Sequence, residues 1–325
     1  MTYNGKKLGV FIVPTGIGAS IGGYAGDASI YAKMFAKEHK LIVNPNVVNA
    51  GCFSGITDNM LYVEGYAIDE LFKNNIQLKE SQNNKIGIIF DKSISKNLLN
   101  IHINTINAVK TVYGINIIDY EITEESVGVD FYIDNIGIST GYVKNIKTLL
   151  KSGEKLIKKG CDALGIVCSF KDEEDKNYEN GNGVDPIGGV EAIISHYITK
   201  ELKVPCAHAP AFEDFEITTK IVNNKASAEY ITPTFLPCIL LGLNNAPKIT
   251  HNGEISIKNI DYLITPYNAV GSIPVFEAIK NQIPVYAIKE NVTLLNVTNE
   301  SINRICGINT VGTYKDCLEL INEKK

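Results

Sequence analysis

The apolar positions of this chain fall into short continuous runs rather than long alternating ones. Such runs stand at Leu8–Val13, Leu41–Val43, Lys85–Phe90, Ile115–Tyr120, Ala163–Cys168, Val204–Cys206, Asp261–Thr265 and Pro284–Ile288, and several are rich in β-branched residues. A strand covered on both faces has this pattern, because neither side of it meets water. Between the runs, spacing of 3.6 residues predicts helices over Asp27–Lys40, Met60–Asn74, Ser95–Tyr113, Ile146–Lys159, Gly189–Leu202, Val275–Asn281 and Tyr314–Glu323. Alternating strand and helix implies right-handed βαβ units, hence an α/β protein with a mostly parallel sheet and helices on both faces.

Two polar stretches interrupt this alternation. Lys171–Asp185 is acidic and rich in Gly and Asn, the composition of a long loop of the kind that forms lids or binding segments. Ile76–Lys85 is a polar linker. Together they suggest two lobes around a cleft within one unit of residues 1–325, one lobe from residues 1–80 with 250–325 and the other from 81–249.

Composition narrows the class. At 325 residues with 45% apolar and 21% charged content, the chain suits an ordinary globular protein. No apolar run approaches the roughly 20 residues of a membrane span, and no signal-type segment opens the chain, so a cytoplasmic location without a membrane partner is expected. A net charge of −5 without a basic cluster argues against nucleic acid. Seven cysteines, an odd number without framework spacing, suit a reducing compartment. Arg304 is the only arginine, so anion binding would rest on backbone N–H groups, lysines and helix ends.

Candidate chemistry sits mainly where glycine or thiol follows a predicted strand. The first loop, Val13-Pro-Thr-Gly-Ile-Gly-Ala-Ser-Ile-Gly-Gly-Tyr-Ala-Gly-Asp27, leads into a helix, an arrangement whose exposed N–H groups favour an anion. It lacks the P-loop lysine and the regular G-x-G-x-x-G spacing. Thr15, Gly16, Gly18, Gly22 and Gly23 are therefore expected to hold a small anionic molecule, with a nucleotide site and a purely structural turn as alternatives. Asp27 either caps the helix or faces the ligand. A second loop, Asp185-Pro-Ile-Gly188-Gly189, enters a helix carrying Glu191, Ser195 and His196; Glu191 and Ser195 share a face and suit a cleft wall.

The third group is Val204-Pro-Cys206-Ala-His208-Ala-Pro210, with Cys238 in Phe235-Leu-Pro-Cys238. In an extended chain Cys206 and His208 point the same way, so Cys206 can serve as nucleophile or proton carrier, with His208 as its base and Cys238 as a second thiol. Metal ligation by Cys206, His208 and Cys238, or simple burial of inert cysteines, are the competing readings. Asn291 and Thr293, after the Pro284–Ile288 run, and Asn44-Pro-Asn46 add polar groups at strand ends. No cofactor is favoured, and a homo-oligomer is compatible with the sequence.

The first loop, Tyr62-Val-Glu-Gly65, Gly183-Val-Asp-Pro-Ile-Gly-Gly-Val-Glu-Ala-Ile-Ile-Ser-His196, Pro205-Cys-Ala-His-Ala-Pro210 and Thr234-Phe-Leu-Pro-Cys238 together resemble a cyanobacterial and plant family, domain of unknown function 3326. The resemblance spans nearly the whole chain. It implies a shared architecture and adds weight to Cys206, His208 and Cys238, but implies no reaction. Cys52 and Cys168 depart from the family pattern and are not catalytic candidates. Gly160-Cys-Asp-Ala-Leu-Gly-Ile-Val167 is similar in style to strand lead-ins of aspartate/glutamate-type racemases, an analogy at the level of fold. The expectation is a cytosolic enzyme acting on a small anionic metabolite by Cys/His chemistry, isomerase-, racemase- or lyase-like, with Glu191 assisting. A nucleotide-binding transferase or regulatory module and a metal-binding protein are the alternatives.

Overall fold

The apolar runs become the central strands of two parallel sheets. The computed structural model describes residue 3 and residues 5–171, 176–213 and 218–323. In chain order the strands used below are β1 (Leu8–Phe11), β2 (Lys40–Val43), β3 (Met60–Tyr62), β4 (Ile86–Phe90), β5 (Ile117–Ile122), β6 (Val129–Ile133), β7 (Ser139–Val143), β8 (Ala163–Phe170), β9 (Cys206–Phe212), β10 (Tyr262–Pro266), β11 (Val285–Ile288) and β12 (Ile308–Val311). The helices are α1 (Ser29–Ala36), α2 (Gly65–Phe72), α3 (Lys96–Tyr113), α4 (Ile146–Lys158), α5 (Gly188–Leu202), α6 (Leu236–Asn244), α7 (Ile273–Lys280) and α8 (Tyr314–Glu323).

One sheet has six strands in the order β12-β11-β10-β1-β2-β3, and the other has four in the order β9-β8-β4-β5; every pairing in both is parallel. The α/β class expected from the alternation is therefore the class observed. The six-stranded sheet draws on residues 8–62 and 262–311, and the four-stranded sheet on residues 86–212. A single apolar core runs from one sheet to the other. It includes Phe11 and Val43, Ile88 and Phe90, Ala207, Ala209 and Ala211, and Leu236, Ile239 and Leu240 of α6. The outer face of the six-stranded sheet is covered by α2 and α7, through Ile68, Leu71, Phe72 and Val275. The outer face of the other is covered by α4 and α5, through Leu149, Leu156, Ile194 and Ile198.

Several elements depart from the sequence reading. The run Val204–Cys206 only leads into β9, so Cys206 opens that strand and His208 lies inside it rather than on a loop beyond its end. Pro210 is tolerated there because β9 is an edge strand, where a missing N–H removes no ladder bond. Met60–Tyr62 is a strand, and the helix expected from Met60 starts at Gly65, where Glu64 Oε2 accepts the N–H of Tyr66 at 2.9 Å. Phe235-Leu-Pro-Cys238 is the first turn of α6, where Pro237 loses no helical hydrogen bond. Within the polar stretch Lys171–Asp185, positions 172–175 lie outside the described residues, and Lys176–Glu179 is a short helix.

The antiparallel hairpin β6–β7 belongs to neither sheet and joins the two glycine-rich loops. Ser139, at the start of β7, donates its N–H to the carbonyl of Gly16 at 2.9 Å. Its Oγ donates to the carbonyl of Pro186 at 2.8 Å and accepts the N–H of Gly189 at 3.1 Å. Bare backbone is required here. A Cβ on Gly189 would fall 2.0 Å from the Ser139 carbonyl oxygen, and Gly16 has φ +75° with the same oxygen 3.0 Å from its would-be Cβ. Gly189→Ala is expected to destabilise the fold by about 3 kcal/mol, and Ser139→Ala by about 1–2 kcal/mol, in urea titrations.

Candidate functional site

A cleft of about 810 Å³ is lined by residues from the segments that build both sheets: Thr15 and Gly23 of the first loop, Glu64 and Asp69 at α2, Asp185, Glu191 and His196 at α5, His208 on β9, Glu229, and Cys238 on α6. Each of the five stretches quoted above contributes a wall residue.

Part of the first loop is bonded within the protein: the N–H of Ser20 donates to the carbonyl of Val292 at 2.7 Å, that of Ile21 to Asn291 Oδ1 at 3.1 Å and that of Gly22 to Asp27 Oδ1. Asp27 therefore acts as a local cap, and among the expected ligand contacts only Thr15, Gly23 and Asp185 reach the cleft. Gly16, Gly18 and Gly189 lie against the backbone of other segments, while Gly22 packs on the side chains of Val13 and Ala28 and Gly188 on those of Asp185 and Thr15. Asn291 also donates to the Ile21 carbonyl at 2.8 Å and the Tyr314 hydroxyl at 2.7 Å, while Thr293 is tied to Asn268 Oδ1 at 3.0 Å. Asn44 pairs with both polar groups of Val13, at 3.0 and 2.9 Å, as a strand would. At the start of α5 the donors are likewise occupied, since Asp185 accepts from Ile187 at 3.0 Å and from Gly188, and Gly189 is held by Ser139.

The cleft brings carboxyls and imidazoles together, with Lys171 and Lys220 also in its walls. His208 Nδ1 lies 3.0 Å from Ser195 Oγ, and its Nε2 lies 3.7 Å from Glu191 Oε2. Burial, helped by the charge of His196, pulls His208 down to about 3, so its ring is neutral at pH 7. Ser195 Oγ also lies 3.3–3.4 Å from the carbonyls of Ala192 and Glu191. With the hydroxyl hydrogen directed to its own helix, Oγ accepts Nδ1–H, and the free lone pair of His208 is at Nε2. Glu191 is held well above its ordinary value by burial and by the charges of Asp185 and Glu229. Its Oε1 is buried without a hydrogen-bond partner among the described residues.

A second imidazole behaves in the opposite way. His196 Nε2 sits 2.8 Å from Glu64 Oε1. Desolvation opposes its charge, but the hydrogen bond to Glu64 and the charges of Glu64 and Asp69 outweigh that and raise it. Burial lifts Asp69 to about 6 against the pull of His196 and Lys73. Glu229 accepts from the Tyr178 hydroxyl at 3.1 Å, and it and Asp185 are both raised, first by burial and in Glu229 also by the charge of Asp185.

The expected thiol chemistry is not assembled. Cys206 is buried beneath α5 among Leu164, Ile194 and Ile198 and does not line the cleft. Burial, with the charge of Glu64 added, pushes its thiol far above the ordinary range, the reverse of an activated nucleophile. Cys238 does line the cleft, but it lies with Ala207 and Ile239 in the core on the other face of β9. Its thiol donates to the carbonyl of Phe235 at 3.2 Å, and burial lifts it to about 12. Among the described residues no three His, Cys, Asp or Glu groups are placed to hold a metal ion, so Cys206, His208 and Cys238 do not form the alternative metal set. The sequence reading placed Glu191, Ser195 and His208 near a cleft; it missed Glu64, Asp69, Tyr178 and Glu229. Glu64 stood inside the quoted stretch Tyr62–Gly65, whereas nothing local singled out Glu229.

The sequence profile of the family described as "Protein of unknown function (DUF3326)" matches residues 8–325. The chain belongs to that family. A relative from Synechococcus sp., carrying the name "Uncharacterized lipoprotein syc1174_c", is 35% identical over 304 residues, which cover 90% of this chain and 84% of the relative. No solved structure matches. No helix among the described residues is long and apolar enough to cross a membrane.

The internal role of Asp27 has a pH signature. Burial raises its carboxyl from 3.8 to about 6, so the folded state holds this proton more tightly than the unfolded chain does. The resulting stability is complete below about pH 4 and is lost as pH rises through about 6. Asp27→Asn retains the Oδ1 acceptor for Gly22. It is expected to leave stability nearly unchanged at pH 4 and to gain about 1–3 kcal/mol over the wild type at pH 7.5, read by urea titration at both values.

Proposed function

We propose that the protein is an enzyme performing general acid–base chemistry on a small polar metabolite in the interlobe cleft, with His208 and Glu191 moving the proton. The observation that carries this reading is a buried imidazole oriented by Ser195 with a buried carboxyl 3.7 Å away, burial lowering the proton affinity of the first and raising that of the second. One group accepts a proton and the other donates one at neutral pH. A substrate atom lying beside the pair, within hydrogen-bond reach of both His208 Nε2 and Glu191 Oε2, can lose and regain hydrogen, the core step of isomerases, racemases and lyases. Positioned acid–base groups contribute about 10²–10⁴ in rate, and their contacts are commonly longer before substrate binds. Ser195 is a positioning residue in this scheme, because it fixes the tautomer of His208. Cys206 has no chemical part in it.

The ligand is a small polar molecule in this reading, because carboxyls and imidazoles line the walls together with Lys171 and Lys220. We keep the cytoplasmic location as part of the proposal, since all seven cysteines are free and five are buried. The relative's printed name favours a membrane fraction instead, and cell fractionation distinguishes the two.

The test is hydrogen exchange. Incubation with a small-metabolite extract in D₂O, followed by mass spectrometry, is expected to show deuterium entering a metabolite. His208→Asn and Glu191→Gln are expected to slow this by about 10²-fold or more, while Cys206→Ala retains it. Loss of exchange in a folded Cys206→Ala, its retention in His208→Asn, or no exchange with any metabolite would overturn the proposal.

A further inference from the structure

We propose that His196, braced by Glu64, holds the oxygen of a substrate carbonyl through its Nδ1–H while His208 takes a proton from the neighbouring carbon. This rests on the acid–base reading of the cleft given above and adds the class of substrate, a carbonyl compound with hydrogen on the carbon beside it. The placement comes from α5. Glu191, Ala192, Ser195 and His196 all line the cleft, and as two pairs four residues apart they form one patch of the helix surface. Ser195 in that patch holds the ring of His208 at 3.0 Å and Glu191 lies 3.7 Å from the same ring, so His196 stands in the row beside the proton-moving pair. The two imidazoles are near enough for the charge of His196 to depress His208.

His196 is held as a positioned donor is held. Its Nε2 meets Glu64 Oε1 at 2.8 Å, and the other oxygen of Glu64 accepts the Tyr66 N–H at 2.9 Å, so the carboxyl is fixed through both oxygens. The Glu64 side chain is 3% exposed and that of His196 46%, which puts the carboxyl behind a ring that remains open on the cleft it lines. The ring also seats on bare backbone, because a Cβ on Gly65 would fall 2.7 Å from Nε2. With Nε2 engaged, Nδ1 is the nitrogen left for a ligand, and no protein group among the described residues bonds it. The titratable groups facing the ring are Glu64 and Asp69 from the α2 side and His208 from β9, with Lys73 acting on Asp69. The two carboxyls favour a charged ring, and His208 is neutral at pH 7.

The chemistry uses the two imidazoles in opposite states. A hydrogen on carbon leaves readily as a proton only when the electron pair it releases can settle on an electronegative atom, and a polarised N–H aimed at that atom lowers the barrier. His208 Nε2 takes the proton, the C–H pair becomes a C=C bond, and the carbonyl π pair moves onto the oxygen held by His196. Glu191 then gives a proton to carbon as that pair returns to C=O, and the imidazolium of His208 reprotonates Glu191 across the 3.7 Å that separates them. Every group ends as it began. Bonded atoms of one small molecule need neighbouring protein groups, and adjacent rows of one helix face supply them.

The test follows where the deuterium goes. In the D₂O incubation with the metabolite extract, carbon-13 NMR is expected to find the label on a carbon bonded to a carbonyl or carboxyl carbon. His196→Ala is expected to slow its entry about 10²-fold, and His196→Gln, which keeps a donor N–H, about tenfold. Glu64→Gln can keep the contacts with Tyr66 and His196 while removing the charge. It is expected to slow entry about tenfold and to move the His196 titration, read by NMR on protein labelled with nitrogen-15 histidine, from above 6.5 toward lower pH. A purely structural ion pair would shift that titration without changing the rate per folded molecule. Thermal unfolding identifies any variant that fails to fold, and His196→Gln then carries the test. Label on a carbon with no carbonyl neighbour, or full-rate exchange in a folded His196 variant, would overturn the carbonyl assignment; if exchange is still lost in His208→Asn, the acid–base reading stands without it. Absence of exchange with any metabolite removes both.

Discussion

Ser139 holds two bare backbones, the Gly16 carbonyl through its own N–H and the Gly189 N–H through its Oγ, and the geometry of the cleft depends on that contact. Gly16 lies in the loop after β1 of the six-stranded sheet and Gly189 in α5, which covers the four-stranded one. Because Gly189 opens α5, the contact fixes where that helix starts and hence where Glu191, Ser195 and His196 project. A side chain at either glycine would clash with the Ser139 carbonyl and shift the loop from α5 at the point where sub-ångström placement matters most. Glycine-rich sequence here serves docking between parts of the protein, a role that resembles ligand binding because both need exposed backbone.

Electrostatically the cleft is defined by carboxyls that hold their protons more tightly than usual. Burial raises Glu191, Asp185 and Glu229, and each ionised neighbour makes the next ionisation harder. The two histidines respond to this setting differently. His196, bonded to Glu64 and near Asp69, is raised, while His208 is lowered by burial and by the charge of His196. Groups of the same type driven to opposite states within one cavity are a common arrangement in acid–base enzymes.

Much of the fold was legible because it rests on periodicity. Apolar runs such as Ile86–Phe90 and Ala163–Phe170 are buried on both faces and read as strands whatever lies around them. The hairpin of Val129–Ile133 and Ser139–Val143 was not legible, since its residues are half-exposed and its partner is a loop contact rather than a sheet. Cys206 misled for a specific reason: a cysteine and a histidine two apart share a side of the strand, but α5 covers the first and the cleft opens only at the second. Glu191 with Ser195 was visible as one helical face. Glu229 was not, because it reaches the site from a short helix, Ser227–Tyr230, that shows no periodic signal.

The order of strands in the larger sheet also governs when the protein can assemble during synthesis. β1 is central, flanked by β2 on one side and β10 on the other, yet β10 begins at Tyr262 and the sheet closes only with Ile308–Val311. The first three strands are therefore made with one edge of β1 unpaired while the whole four-stranded sheet follows. That nascent edge is apolar and buried in the finished molecule. An unpaired apolar edge of this kind is one that neighbouring chains can pair with until β10 arrives to cover it.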